Sequence, residues 1–183
     1  MSERPEVWLD YTRTYLEMTT PPKFAAPHAP LVHGLALMKA EDPPPRWFLH
    51  LYRSVGERHE WTDWLEAPAE DLAAFVGDPK VAIFTLMLQG WSGGFFVLDR
   101  REPGVCDLSY FGLTPEAQGR GLGAWLLKTA VLTAWEAKSV EKMTVDTCTL
   151  DDPRALPLYQ KVGFVPVAQE QDRRRKTWFG ETP

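Results

Sequence analysis

Cysteine is scarce in this chain: its 183 residues include two, Cys106 and Cys148. Neither forms a Cys-x-x-Cys pair, and no Cys/His cluster has the spacing of zinc ligands. A disulfide framework and a metal site are therefore not expected, and the two thiols, each in an apolar stretch, read as free and buried. Long hydrophobic runs are absent as well. The most apolar region, residues 81–98, is broken by Gln89-Gly90 and by Ser92-Gly93-Gly94, so it cannot cross a bilayer and no membrane partner is expected. The opening residues Met1–Glu6 lack the apolar core of a secretory signal, which makes a cytoplasmic location the expectation. Nor is positive charge in excess. The 20 Lys and Arg stand against 25 Asp and Glu, a net of −5, which argues against a nucleic-acid partner. The one basic run, Arg173-Arg174-Arg175-Lys176, reads as a solvated tail or as a strand edge kept from aggregating by its charge.

What is present is an ordinary globular balance, with 44% hydrophobic and 25% charged residues, in a length that suits one domain over residues 1–183. Prolines crowd residues 21–30 and 43–45, so the first 45 residues should be a turn-rich extension with one strand in Leu31–Ala40. After Pro45, residues Trp47, Phe48, Leu51, Tyr52 and Val55 recur at helical spacing, and a second short helix fits Ala69–Val76. Strands are expected at Val81–Leu88, Gly94–Arg100 and Val105–Leu113, joined by turns short enough for an antiparallel meander. A helix from Gly121 to Lys138 and a strand from Met143 to Leu150 then imply a parallel pair with a right-handed crossover. A short helix at Arg154–Val162 stops at Gly163, and a last strand begins at Phe164. The expected fold class is α/β: a mixed, mostly antiparallel twisted sheet with helices on both faces.

The chemistry concentrates in Gln118-Gly119-Arg120-Gly121-Leu122-Gly123-Ala124, which joins a strand end to a helix start. Glycine at 119, 121 and 123 lets the backbone take positive φ and lets a ligand approach the main chain. The unpaired N–H groups of a helix start, with its dipole, make an anion site that suits a pyrophosphate. Without such a ligand, the glycines would weaken the helix start for no return. The Gly-Lys-Ser/Thr of a nucleotide-hydrolysing phosphate loop is missing. Gly119, Gly121 and Ala124 do satisfy a dinucleotide-binding fingerprint. That fold needs a tight turn, however, and here six residues, Leu113–Gln118, separate the strand from the first glycine.

Gln118-x-x-Gly121-x-Gly123 resembles the Q/R-x-x-G-x-G/A signature of the GNAT N-acetyltransferases. Phe111-Gly112-Leu113-Thr114-Pro115-Glu116 looks like that family's fourth strand and its exit. The run Ala155-Leu156-Pro157-Leu158-Tyr159-Gln160-Lys161-Val162-Gly163-Phe164 is similar to its later A-x-x-L-Y-x-K-x-G-F motif. Order, spacing and element type agree from Val81 to about Gln169, which marks residues 81–169 as a coenzyme-binding core. The resemblance implies the GNAT acyl-CoA acyltransferase fold and transfer of an acetyl group from acetyl-CoA to a primary amine of a small molecule or peptide. Homodimers are common among such relatives. It further implies that the main chain near Leu113 bonds the pantetheine arm, and that the amides from Gln118 to Ala124, Arg120 and Leu122 included, bind the pyrophosphate.

Tyr159 is the implied general acid for the departing thiolate. Asp107 stands where histone-modifying relatives carry a catalytic glutamate, and simple alternation would put residues 107, 109, 111 and 113 on one face of their strand. Glu116, acting through water, is the other candidate base. Asp152 falls where many relatives place a pantetheine-binding asparagine, and an ionised aspartate can only accept hydrogen bonds. Trp47, Tyr52, His59, Trp61 and Trp64 are implied to wall a pocket for an apolar or aromatic amine. A function of another class fits the same loop, namely a non-catalytic acyl-CoA sensor or scaffold.

Overall fold

In a computed structural model, which describes residues 6–177, the chain builds seven strands. These are β1 (Trp8–Met18), β2 (Leu35–Lys39), β3 (Val81–Leu88), β4 (Trp91–Asp99), β5 (Val105–Leu113), β6 (Lys142–Cys148) and β7 (Val165–Arg175). Five helices accompany them: α1 (Pro45–Gly56), α2 (Asp63–Glu66), α3 (Ala69–Gly77), α4 (Leu122–Trp135) and α5 (Ala155–Val162). One sheet runs in the order β2-β3-β4-β5-β6-β1-β7, antiparallel throughout except for the parallel pair β5–β6. None of the described helices is long and apolar enough to cross a membrane. The opening Met1–Pro5, which carried the expectation about a signal, lies outside the described residues.

Two apolar layers hold the sheet. Pro45 sits in the first turn of α1, where its missing N–H costs nothing, and Phe48, Leu51, Tyr52 and Val55 form one buried stripe. With Leu72, Phe75 and Val76 of α3 they cover Ile83, Phe95 and Val97 on one face. On the other face, Leu122, Leu126, Leu127, Ala130, Val131 and Ala134 of α4 pack with Tyr159 and Val162 of α5 over Phe96, Leu98, Cys106, Leu108, Met143 and Val145. Burial pushes the Cys106 thiol up to about 11, so this cysteine behaves as a small core residue.

The largest departure from the sequence reading is β1. Residues 6–45 hold two strands where one was expected, and β1 inserts between β6 and β7 and pairs with both. Tyr11, Thr12, Thr14 and Tyr15 have the residue types that strands favour. Its partners come from the far end of the chain, however, so local signals could not place it. The expected strand at residues 31–40 is the shorter β2, at the opposite sheet edge. Of the two readings of the basic run, the strand edge holds for Arg173, Arg174 and Arg175, which close the outermost strand β7.

Two irregularities in β5 open and shape a cleft in the sheet. Pairing between β5 and β6 is limited to Val105–Lys142, Cys106–Met143 and Asp107–Thr144. Beyond those positions the strands separate, so their ends at Leu113 and Cys148 flank a gap. The β4–β5 register also shifts between Val97 and Leu98, leaving Ser109 unopposed. Simple alternation therefore fails. Phe111 and Leu113 face the α4 layer along with Cys106 and Leu108, whereas Tyr110 faces the α1 layer. Asp107 does not share a face with Phe111 and Leu113, because the extra residue reverses the pattern between them.

Candidate active site

The glycine loop folds as its composition demands. After β5, Pro115–Ala117 makes one 3-10 turn, and α4 begins at Leu122 behind Gly121, which has φ +72° and ψ 8°. Gly119 has φ +74°. Both angles lie in the left-handed region, where a β-carbon is disfavoured. A β-carbon added at either glycine would meet nothing within 4 Å, and at Gly123 it would meet only Leu113 Cδ1 at 3.8 Å. No side chain caps α4. Its first amides, at Leu122, Gly123 and Ala124, therefore face open space without intrahelical acceptors. A pyrophosphate fits there: donors, a positive dipole end and room above the main chain coincide.

That loop opens on one cleft of about 730 Å³, which passes through the gap between β5 and β6. Leu113, Gln118, Gly119, Gly121, Leu122, Gly123, Ala124, Asp152 and Tyr159 all line it. Arg120 and Asp107 do not. Arg120 turns outward over the Trp91 ring, 6.0 Å from its centroid. Gln118 Nε2 donates to the Leu113 carbonyl at 3.5 Å, and Arg154 Nη2 donates to Gln118 Oε1 at 3.2 Å. The same guanidinium holds Asp152 at 2.5 Å and lowers its carboxyl to about 2. The Asp152 oxygens thus accept from Arg154, and this chain of bonds ties the end of β5 to the segment after β6.

Tyr159, on α5, is 5% exposed and sits between the rings of Phe111 and Phe164, each 6.1 Å away. Burial pushes its phenol above the ordinary range, and the negative charges of Asp151, Asp146 and Asp107 act in the same direction. It therefore keeps its proton at any working pH and is available to donate it in a hydrogen bond.

On the α1 side, the cleft floor comes from β6 and β1. Asp146 Oδ2 accepts from Arg13 Nη1 at 2.9 Å, and both side chains line the cleft. Asp107 lies deeper, where the strands still pair. Its Oδ1 accepts from Thr144 Oγ1 at 2.6 Å and its Oδ2 from Ser109 Oγ at 2.7 Å. Burial raises the Asp107 carboxyl, and the two hydroxyls oppose that rise.

The roof comes from the connection after α1. Trp61 Nε1 donates to Asp151 Oδ1 at 3.1 Å, while Asp151 Oδ2 accepts from Thr147 Oγ1 and from the Cys148 amide, each at 2.8 Å. Arg174 of β7 reaches in to bond the Glu60 carbonyl, Thr62 Oγ1 at 3.3 Å and Asp63 Oδ1 at 2.8 Å. Of the aromatic set expected at the acceptor wall, Tyr52, His59 and Trp61 line the cleft. Trp47 and Trp64 pack instead against the α1–α3 core, Trp64 stacked on Phe75 at 4.7 Å.

Sequence reasoning missed Tyr11, Arg13, Asp146, Cys148, Asp151 and Arg174. Asp146 was within reach: alternation along β6 sets Thr144, Asp146 and Cys148 opposite the buried Met143 and Val145. Arg13 and Arg174 gave no local signal, because their strands enter the site only through long-range pairing. Among the described residues, no group of three or more His, Cys, Asp or Glu side chains is placed to hold a metal ion.

A model of the acetyltransferase (GNAT) family matches residues 35–164. No curated protein sequence matches the chain. Among solved structures, an IAA acetyltransferase from Bacillus cereus is 21% identical, with a TM-score of 0.55, and the match covers 73% of this chain and 79% of that one. A GCN5-related N-acetyltransferase from Kribbella flavida is 16% identical, with a TM-score of 0.58 over 90% of this chain and 57% of that one. A tandem GNAT protein from the clavulanic acid biosynthesis pathway is 15% identical, with a TM-score of 0.62 over 91% and 53%. At these identities the likeness is one of fold, and the chain spans little more than half the length of the last two.

Proposed function

The chain belongs to the acetyltransferase (GNAT) family, and on that footing we propose that it transfers an acetyl group from acetyl-CoA to a primary amine by direct attack in a ternary complex. One observation carries the proposal: a single cleft joins the bare amides at the start of α4 to Tyr159 and continues between β5 and β6 to the α1 side of the sheet. In this reading the amides from Gly119 to Ala124 hold the pyrophosphate. The main chain near Leu113 aligns the pantetheine arm. The thioester then lies in the gap, with the acceptor approaching from the opposite face. Fixing both reactants there removes several kcal/mol of the entropic barrier, on the order of 7–11 in well-aligned systems.

Tyr159 hydrogen-bonds to the departing sulfur. Its raised pKa makes outright proton loss uphill, so its part is to stabilise the developing thiolate by donation. Asp107 does not line the cleft, and the hydroxyls of Thr144 and Ser109 on its two oxygens lower its basicity. Assembly as a homodimer is proposed as well, and light scattering decides it.

A thiol-release assay over a panel of primary amines tests the reading. Wild type should release coenzyme A with at least one amine, and Tyr159→Phe should slow turnover roughly 10²-fold while coenzyme affinity holds. Tight coenzyme binding with silence across the panel would replace the enzyme reading by that of an acyl-CoA sensor.

A further inference from the structure

We propose that Asp146 is the group that takes the proton from the acceptor ammonium, and that Arg13, from the N-terminal strand, is its positioning residue. The inference rests on the acetyl-transfer reading. Five aspartates lie in or beside the cleft, and the question is which has an oxygen free to receive a proton. Asp107 spends one oxygen on Thr144 and the other on Ser109. Asp151 spends its oxygens on Trp61, Thr147 and the Cys148 amide. Asp152 is held by the guanidinium and amide of Arg154. Asp63 has Oδ1 on Arg174 and no partner for Oδ2 among the described residues. It stands on the roof at the start of α2, however, away from the gap between β5 and β6, with 65% of its side chain open to solvent. Asp146 has Oδ2 bound to Arg13, whereas Oδ1 has no partner among the described residues. It lines the cleft, with 40% of its side chain still open.

Its position in the fold agrees. Asp146 lies two residues past Thr144, the last β6 residue paired with β5, so it stands at the root of the gap on the α1 side. Arg13 lies on the same face of the neighbouring strand, one cross-strand step from Asp146, whose direct partner is Tyr15. This strand precedes the residues 35–164 that the family model matches. The titratable and charged groups around Asp146 are Arg13 and Tyr15 of β1, Asp107 and Tyr110 of β5, Tyr159 of α5 and Asp151 after β6. Arg13 is the cation nearest to it and offsets the surrounding aspartates.

The step balances. The acceptor ammonium gives one proton to Asp146 Oδ1, and its freed lone pair forms the N–C bond to the thioester carbonyl. The C–S bond then breaks, and the sulfur leaves with the second nitrogen proton. The carboxyl of Asp146 returns its proton to solvent.

Asp146→Asn and Arg13→Lys test this in the full chain, using the best amine from the panel. Asp146→Asn should lower kcat/KM near pH 7 by about 10²-fold or more. The deficit should shrink as pH rises past the pKa of the amine, because the acceptor then arrives without the proton. Coenzyme affinity should stay as in wild type. Without turnover, calorimetry of the amine binding to protein saturated with coenzyme A should show affinity at pH 7 falling at least about tenfold, since the ammonium loses its counter-charge. Arg13→Met should raise the acidic limb of the pH–rate profile, and Arg13→Lys should restore most of it.

Wild-type activity with an Asp146→Asn deficit equal at every pH, or with unchanged amine affinity, overturns the assignment while leaving transfer intact. A loss that follows His59→Ala instead overturns it in favour of the imidazole on the opposite wall. A wild type that transfers to no amine overturns both readings.

Discussion

Replacing Gly121 with valine separates the fold from the site. At φ +72° and ψ 8°, an L-residue there pays about 1–2 kcal/mol of left-handed strain, and β-branching puts valine at the upper end. No steric cost within the protein adds to it, because a β-carbon at this position meets nothing within 4 Å. For a chain of this size that strain lowers Tm by roughly 4–8 °C, so the variant stays folded at room temperature. The coenzyme loses far more. The side chain would occupy the space above the α4 amides, and losing two charge-assisted hydrogen bonds of about 1.5–3 kcal/mol each weakens binding on the order of 10²- to 10⁴-fold. Isothermal titration with coenzyme A measures that loss, and calorimetric melting measures the strain. Gly77→Ala is the matched control: it also has open space around its β-carbon position, lies at the end of α3 and should leave both quantities within error. Undiminished coenzyme affinity in Gly121→Val would refute the assignment of the loop as the phosphate cradle. A collapse of Tm beyond about 15 °C would refute the strain argument.

Other perturbations probe the walls of the cleft. Gly94→Ala would place a β-carbon 2.5 Å from the Gly112 carbonyl oxygen, inside the β4–β5 ladder, and should cost about 3 kcal/mol or more, read as a drop in denaturation midpoint. Arg174→Ala removes the bonds to Glu60, Thr62 and Asp63. Stability should fall by about 1–3 kcal/mol and the acceptor KM should rise, with coenzyme affinity unchanged. Asp152 has its carboxyl lowered to about 2, mainly by Arg154, so its favourable contribution is complete above the unfolded value near 3.8 and disappears as pH falls toward 2. The Tm difference between wild type and Asp152→Asn should therefore be constant above about pH 5 and close progressively between pH 4 and 2, as a melting series across pH would record.

Legibility in the sequence followed the range of the interactions. The meander from Val81 to Leu113, the helix after the glycine loop and the short helix carrying Tyr159 are all set by nearest neighbours: β-branched runs, turn residues and apolar spacing at 3.6. The same locality made the glycine-rich helix start readable, since Gly119, Gly121 and the following amides are consecutive. Asp107 shows where that logic ended. Its place on the strand was clear, but a one-residue bulge at Ser109 changed the face, and two neighbouring hydroxyls took up its oxygens. Strand β1 shows it again, for a polar and aromatic stretch after a short lead and before a proline-rich loop has no local mark of where it pairs.

By itself, then, the order of residues determined a mixed α/β layer and a glycine-rich helix start with left-handed turns, because those features rest on backbone preferences a few residues wide. Tertiary structure alone decided that β1 enters between β6 and β7 and carries Arg13 to Asp146. It likewise decided that β5 and β6 part after three paired positions, and that Arg174 braces the connection after α1. The reason is physical: each depends on hydrogen-bond ladders between segments distant in the chain, whose register is set by the whole sheet and not by any stretch within it.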